Sequence, residues 1–355
     1  MQKVILSLLS CFSLAVLAEE VNSEQLDFSY SNWDVSGYIK VLADIPTDGR
    51  DPKVELDDLS IYLSGNINQW FNPFVEAEYF SGTIWQEKGN DSFTDGEFIF
   101  ERLYNDFKVS EKTRLRIGKF LAPVGYWNLI HAAPLVWTIN RPASSTYGYS
   151  NYVTGIKYGY VLDDFVGSRF DFYLQLGDEF DPHPSEHHPR RYDKLIGGSW
   201  TLSDNLNSRA SIDFQYAKVE NSNTTRTTLS IQKIWYLQKW DIDTQVIYTK
   251  IDVDEARKFT AINNTSEMRT EPSDGWDGGG YIQTRYRIDP KFNLYARGEF
   301  FYYAKERNRG NDVIVGGRYI LGKWGNINIE YKWGSGAKSI SSDGISISYN
   351  AMLRW

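Results

Sequence analysis

The sequence predicts an all-β fold: one transmembrane antiparallel β-barrel of sixteen strands, with a constriction loop folded inward. Three observations carry this expectation. After residue 30, stretches of about ten residues alternate apolar and polar side chains, the two-residue period of a strand with unlike faces. The stretches number sixteen, and an even count returns both termini to one side, as a closed bacterial outer-membrane barrel requires. The connections alternate between brief turns and longer loops, as a barrel with its turns on one side and its loops on the other demands.

The N-terminus is set apart from the fold. Lys3 precedes the apolar run Val4 to Leu17, and Val16-Leu17-Ala18 before Glu19-Glu20 has the small-residue form of a cleavage site, so residues 1–18 read as a secretory signal peptide. A lipoprotein reading at Cys11 is weaker, because Leu8-Leu9-Ser10-Cys11 leaves a very short apolar region. Residues 19–30 read as a periplasmic N-terminal segment and 31–355 as the barrel. Beyond the leader, no apolar run approaches the roughly 17–25 residues of a membrane helix, which excludes a helical bundle. The mean hydropathy of -0.46 fits a barrel, since only alternate residues need face lipid and closure satisfies the strand edges. Removing Lys3 with the leader takes the net charge from -8 to -9, which gives no support to a nucleic-acid partner. The only cysteine lies in the leader, so the exported chain has no disulfide.

The predicted strands run over 31–42, 53–66, 71–82, 96–108, 113–121, 150–161, 168–178, 191–202, 207–218, 226–237, 240–253, 276–288, 291–304, 311–321, 325–334 and 343–354. In the second, Leu59, Ile61 and Leu63 oppose Ser60, Tyr62 and Ser64; in the third, Val75, Ala77 and Tyr79 oppose Glu76 and Glu78. The seventh sets Phe170, Phe172, Leu174 and Leu176 against Arg169, Asp171, Tyr173 and Gln175. The fifteenth sets Ile327, Ile329, Tyr331 and Trp333 against Asn326, Asn328, Glu330 and Lys332, and Ile345, Ile347, Tyr349, Ala351 and Leu353 form the last apolar series. Short connections fall near 67–70, 110–112, 162–167, 203–206, 238–239, 289–290 and 322–324. The others fall at 43–52, 83–95, 122–149, 179–190, 219–225 and 254–275, with shorter members at 305–310 and 335–342. A soluble multi-sheet protein is the alternative; aromatic residues at strand ends, the terminal Trp355 and the loop asymmetry favour the membrane barrel.

Segment 122–149 is more apolar than a loop projecting into water, with Val124, Trp127, Ile130, Leu135 and Trp137, and a barrel of this size encloses an aqueous channel. The segment is therefore expected to fold inward, with His131 and Arg141 as its basic candidates. If Leu115 and Ile117 face lipid, Arg114 and Arg116 face the lumen, and the same rule turns Lys157, Arg285, Arg287, Arg297 and Arg318 inward. Asp58, Glu76, Glu78, Asp106, Asp171, Asp213, Glu299 and Glu330 oppose them. Opposed charges at a constriction impose a transverse field and set ionic preference; wall salt bridges are an equally ordinary use. Arg114, Arg116, His131, Arg141 and Lys157 are the basic candidates for the constriction, and Asp58, Glu76, Glu78 and Asp106 the acidic ones. Narrow-section charge outweighs total charge, so a weak anion preference is expected despite the acidic total. Lys119 shares the lipid-facing register of Leu115 and Ile117, where it would snorkel or join a protomer interface.

Enzyme signals are poor. His183, His187 and His188 lie in a proline-interrupted run that reads as an exposed loop sooner than as a zinc or copper site, and Ile251 to Glu255 lacks calcium-loop spacing. Neither metal nor cofactor is expected. A hydrolase would need a nucleophile, base and orienter near the rim, and only His188 offers a convenient base. The reading is a channel for passive diffusion of ions and small hydrophilic solutes across the outer membrane. Two alternatives stay open: an uptake channel specific for phosphate, a carbohydrate or an organic acid, and an occluded barrel acting as a receptor or adhesin through loops 179–190 and 254–275.

Glu101-Arg102-Leu103-Tyr104-Asn105-Asp106-Phe107, followed by Leu115-Arg116-Ile117-Gly118-Lys119-Phe120-Leu121-Ala122-Pro123-Val124-Gly125, resembles a pattern of the phosphate-selective porin O and P-like group of the Gram-negative porin superfamily. The matching stretch covers residues 101–125. The resemblance implies a bacterial outer-membrane porin, a homotrimer amid lipid and lipopolysaccharide, that carries small solutes passively. The chain lacks a dense lysine run in 122–149, so the resemblance does not extend to strong phosphate specificity.

Overall fold

A computed structural model describes residues 32–88, 96–130, 132–162, 168–180, 191–204, 207–253, 275–303, 308–323, 325–335 and 343–354. Sixteen antiparallel strands close into one barrel, each hydrogen-bonded to its sequence neighbours, with the first paired to the last. They are β1 (Trp33–Pro46), β2 (Lys53–Gly65), β3 (Pro73–Gln86), β4 (Glu97–Lys108), β5 (Thr113–Leu121), β6 (Tyr152–Val161), β7 (Arg169–Gln175) and β8 (Tyr192–Asp204). The second half comprises β9 (Ser208–Val219), β10 (Thr225–Tyr236), β11 (Trp240–Asp252), β12 (Gly275–Arg287), β13 (Phe292–Tyr303), β14 (Asn308–Ile320), β15 (Gly325–Ser335) and β16 (Gly344–Arg354). Every predicted strand is present; β1 runs on to Pro46, and β7 stops at Gln175.

The alternation produces the two surfaces it implies. Ile117, Ile156, Phe172, Phe214, Ile231, Val246, Ile282, Phe300, Val313 and Ile329 are exposed on the outside, an apolar surface that only lipid satisfies. Exposed rings band it at both ends, Trp70, Trp200, Trp240 and Tyr319 near the turns and Tyr216, Tyr248, Trp276 and Trp333 near the loops. No helix among the described residues is long and apolar enough to cross a membrane; the strands cross instead. Side chains in the tight turns replace the ladder. The Asn68 oxygen accepts from the Trp70 and Phe71 amides at 2.7 and 2.9 Å, and that of Asp289 from Lys291 and Phe292 at 2.7 and 2.8 Å.

The pairing register shifts at four places, Lys40/Val41, Val54/Glu55, Glu76/Ala77 and Tyr192/Lys194, and two of them bring extra charged residues to the lumen. Glu76 pairs with Arg102 and Ala77 with Phe100, so Glu101 is an extra residue on β4; a second shift at Lys40/Val41 leaves Asp57 extra on β2. The bulges turn two adjacent charged residues toward the lumen at each site.

Candidate pore constriction

The connection between β5 and β6 folds into the lumen. It carries helix α1 (Gly125–Leu129), a 3-10 turn at Ala133–Leu135 and helix α2 (Ser144–Tyr147). Its root packs with the wall as an apolar cluster of Phe120, Ala122, Val124, Tyr149, Val153 and Tyr173. Burial pushes the Tyr149 hydroxyl above its ordinary pKa, so that ring stays neutral.

From there the loop is pinned, element by element, to inward side chains. Asp213 on β9 accepts from the Gly125 amide at 3.0 Å, and Gln232 on β10 from the Tyr126 amide at 2.6 Å. The Trp127 indole donates to the Tyr281 hydroxyl at 2.7 Å and to Asp243 at 3.1 Å. Gly125 has φ of +68°, and an added Cβ would lie 2.3 Å from the Gln245 amide nitrogen, so this turn requires glycine. Ala132 then reaches Tyr38 and Tyr62 on the opposite wall. On the return, Glu330 accepts from the Ile139 amide at 3.0 Å and the Asn140 side chain at 2.9 Å, while Glu299 accepts from the Ala143 amide at 2.8 Å. Arg297 donates to the Asn140 and Arg141 carbonyls at 2.7 and 3.3 Å, and Lys40 to the Ile139 carbonyl at 3.1 Å.

Between this loop and the wall of β1–β4 lies a cavity of about 510 Å³. Asp57, Asp58, Glu78 and Glu101 line it from β2, β3 and β4; Arg141 lines it from the loop, and Arg297, Glu299, Asp312 and Lys332 from β13–β15. Lys40 bonds Asp57 at 2.5 Å, Lys332 lies 3.4 Å from Asp312 and Arg297 3.3 Å from Glu299. Asp58 accepts from the Tyr38 hydroxyl at 2.5 Å, Glu78 from Ser60 at 3.3 Å, and Glu101 from the Tyr152 hydroxyl. Arg141 donates to the Ile130 carbonyl at 3.2 Å and lies within electrostatic range of Glu78. The cavity thus has a cluster of carboxylates on the β2–β4 side, with Lys40 against Asp57, facing the Arg141 guanidinium and the paired charges Arg297–Glu299 and Lys332–Asp312.

The remaining candidates lie elsewhere. Arg116 holds Asp106 in a two-point bond at 2.7 and 2.8 Å and stacks 3.6 Å from the Tyr104 ring centroid. Glu76 pairs with Arg102, whose guanidinium lies 4.5 Å from the Phe74 centroid, and Lys157 lies 3.6 Å from Asp171. Arg114 lines a second cavity, of about 300 Å³, at the turn end. Arg285 and Arg287 share Asp241, Arg287 also donates to turn carbonyls, and Arg318 donates to the Val136 carbonyl at 2.6 Å. His131 lies outside the described residues, as do His183, His187, His188 and most of loop 254–275. No group of metal-ligating side chains occurs among the described residues. Lys119 departs from its expected lipid-facing place: it is buried, 3.6 Å from Glu179 and 4.9 Å from the Tyr152 ring centroid. Segment 176–180 folds against this wall, with the Phe180 amide donating to Thr154 at 2.9 Å, and supplies the carboxylate.

Charge is also sorted along the barrel axis. Within the first five residues of each strand from its turn end, the inward register carries Lys108, Arg114, Arg116, Lys157, Arg169, Arg209, Arg285, Arg287 and Arg318 against Asp34, Glu76, Asp106, Asp171, Asp241 and Asp243. Farther toward the loops it carries Asp44, Glu55, Asp57, Asp58, Glu78, Glu97, Glu101, Asp213, Asp277, Glu299, Asp312 and Glu330 against Lys40, Lys53, Arg226, Arg297 and Lys332, with Arg141 added by the loop, while Arg102 lies level with its partner Glu76.

A closed sixteen-strand barrel with an apolar exterior, a charged lumen and an inward loop is a porin-like barrel. Solved structures with this fold include OmpT of Vibrio cholerae in trimer form, 12% identical over 91% of this chain and 99% of that one with a TM-score of 0.60. OmpF of Salmonella typhi, in complex with daunomycin, is 13% identical over 91% and 98% of the two chains with a TM-score of 0.62. An anion-selective porin from Comamonas acidovorans is 11% identical over 91% and 98% with a TM-score of 0.57. No protein-family model and no curated protein sequence matches the chain.

Proposed function

We propose that this protein is an outer-membrane channel for passive diffusion of ions and small hydrophilic solutes, with no chemical step. The observation that carries it is the cavity of about 510 Å³ beside a pinned inward loop, lined by charged side chains within a lipid-facing barrel. The weak anion preference expected from the sequence rests on Arg114, Arg116 and Lys157, which line the turn half. The cavity beside the loop holds more carboxylates than cations, so the proposal is a channel of low ionic discrimination. Phosphate specificity, suggested by the motif in residues 101–125, gains no dense cationic site at the loop. A homotrimer is part of the proposal: β5, β6 and β7 have only 9, 10 and 7 residues, a low wall suited to a neighbouring copy, and one structural neighbour is a trimer.

The test is single-channel conductance and reversal potential of the purified protein in an asymmetric KCl gradient. Stable openings with a reversal potential near zero support the proposal. Absence of openings from folded protein would overturn it and favour an occluded receptor or adhesin.

A further inference from the structure

The axial sorting of charge goes beyond a simple diffusion pore, and the inference drawn from it rests on the channel reading. Among the described residues ion pairs cancel locally, but each half of the lumen keeps an excess: cations near the turns, carboxylates near the loops. An inorganic anion is repelled in the loop half and an inorganic cation in the turn half, so each simple ion meets one unfavourable stretch. A solute carrying both charges avoids both penalties if its charges are far enough apart to occupy the two halves together.

The strand geometry sets that distance. Arg209 and Asp213 lie on the same face of β9, four residues apart, on opposite sides of the division, which is about 13 Å along a strand rising about 3.3 Å per residue. A peptide of three or four residues, at about 3.3–3.6 Å each, separates its ammonium and carboxylate by roughly 10–14 Å. The cavity beside the loop, about 510 Å³, has room for part of such a chain. We propose that the lumen is axially polarised, that it favours short zwitterionic peptides aligned with the carboxylate toward the turns and the ammonium toward the loops, and that it rectifies ionic current.

The sign of rectification follows from the order of the halves. With the loop side positive, cations held in the loop half and anions held in the turn half are both driven toward the middle, carriers accumulate, and current rises. With the loop side negative, the middle is depleted.

Two measurements on the full mature protein test this. In planar bilayers at 0.1 M KCl, current is expected to be larger with the loop side positive by a factor of about 1.5 or more, and the ratio to approach one at 1 M, where the screening length falls from about 10 to about 3 Å. Orientation is read by adding an impermeant thiol reagent to one chamber with Lys88→Cys, at the loop end. In proteoliposomes, triglycine is expected to leave at least about threefold faster than N-acetyl-triglycine or triglycinamide, which carry one charge each. Arg169→Gln with Arg209→Gln is expected to reduce both effects; should that variant not fold, the salt dependence and tripeptide comparison of the unaltered protein decide alone. Symmetric currents at 0.1 M with equal tripeptide rates would overturn the polarised lumen and leave the channel standing. Absence of both conductance and efflux would overturn the channel itself.

Discussion

Glu330 is the wall residue whose removal most directly frees the constriction loop. Its carboxylate is buried, at 1% exposure, and accepts from the Ile139 amide and the Asn140 side chain at 3.0 and 2.9 Å. Each is a hydrogen bond to a charged group, contributing about 1.5–3 kcal/mol, so Glu330→Ala lowers the cost of lifting residues 139–140 from the wall by roughly 3–6 kcal/mol if both are lost. At about 1.4 kcal/mol per tenfold, even the lower bound raises local opening roughly a hundredfold. Thiol chemistry reads this cleanly: the sole cysteine, Cys11, falls in the expected leader, and Ile139→Cys places a thiol at a site 5% exposed. Reaction of that thiol with a water-soluble methanethiosulfonate is expected to accelerate by about two orders of magnitude or more in the Glu330→Ala background, with larger and noisier single-channel current. Glu330→Gln keeps one acceptor oxygen and is expected to fall between. Labelling rate and conductance both within twofold of the parent would refute the assignment of Glu330 as an anchor.

Two further outcomes follow from local geometry and one from the sequence. Gly125→Ala combines a left-handed backbone, costing about 1–2 kcal/mol, with a clash against Gln245; its urea midpoint is expected to fall, partly recovered by Gln245→Ala, and an unchanged midpoint would show that the turn relaxes freely. Asp277→Asn removes the charge that faces Arg226 2.5 Å away, with both side chains at 2% exposure or less, and is expected to cost about 3 kcal/mol or more in reversible unfolding. Adding Arg226→Gln should restore part of that loss; equal stability of Asp277→Asn and the parent would mean the pair is not buried in solution. The exported protein is expected to begin at Glu19, as intact mass would show; retention of Lys3 would refute the leader assignment.

The wall was legible because one physical demand recurs at every strand. Leu115 and Ile117 must differ from Arg114 and Arg116 wherever one face meets lipid and the other water, so period, count and connection lengths all emerge from composition along the chain. The inward loop was legible for a related reason, since Trp127 and Trp137 in a long connection need a covering surface. Alternation fails where the backbone gains a residue: Glu101 shares the register of Leu103 in sequence but is turned inward by the bulge. Its one sequence signal is a pair of adjacent charges, Glu101-Arg102, directly after Phe98-Ile99-Phe100, and Asp57-Asp58 before Leu59 repeats it. Lys119 escaped for another reason, because its partner Glu179 comes from a loop whose path no local pattern encodes.

The functional sense of the inward charges depends on information that period alone does not carry. Parity places Arg297, Glu299, Arg318 and Glu330 in the lumen, and each could equally meet solute or protein; only the path of residues 134–143 shows that loop amides and carbonyls occupy them. Such groups contribute local charge to the lumen while their directional hydrogen bonds are committed to the loop, so they shape the field without binding solute directly. Arg114, at the turn end, is instead among the groups left exposed to the aqueous mouth. A lumen built this way discriminates through long-range potential more than through contact. Its selectivity should therefore respond to ionic strength far more than to conservative replacement of any one charged side chain. A single substitution such as Arg114→Lys that changed reversal potential as much as a tenfold change in salt would contradict that account and point to a specific contact site.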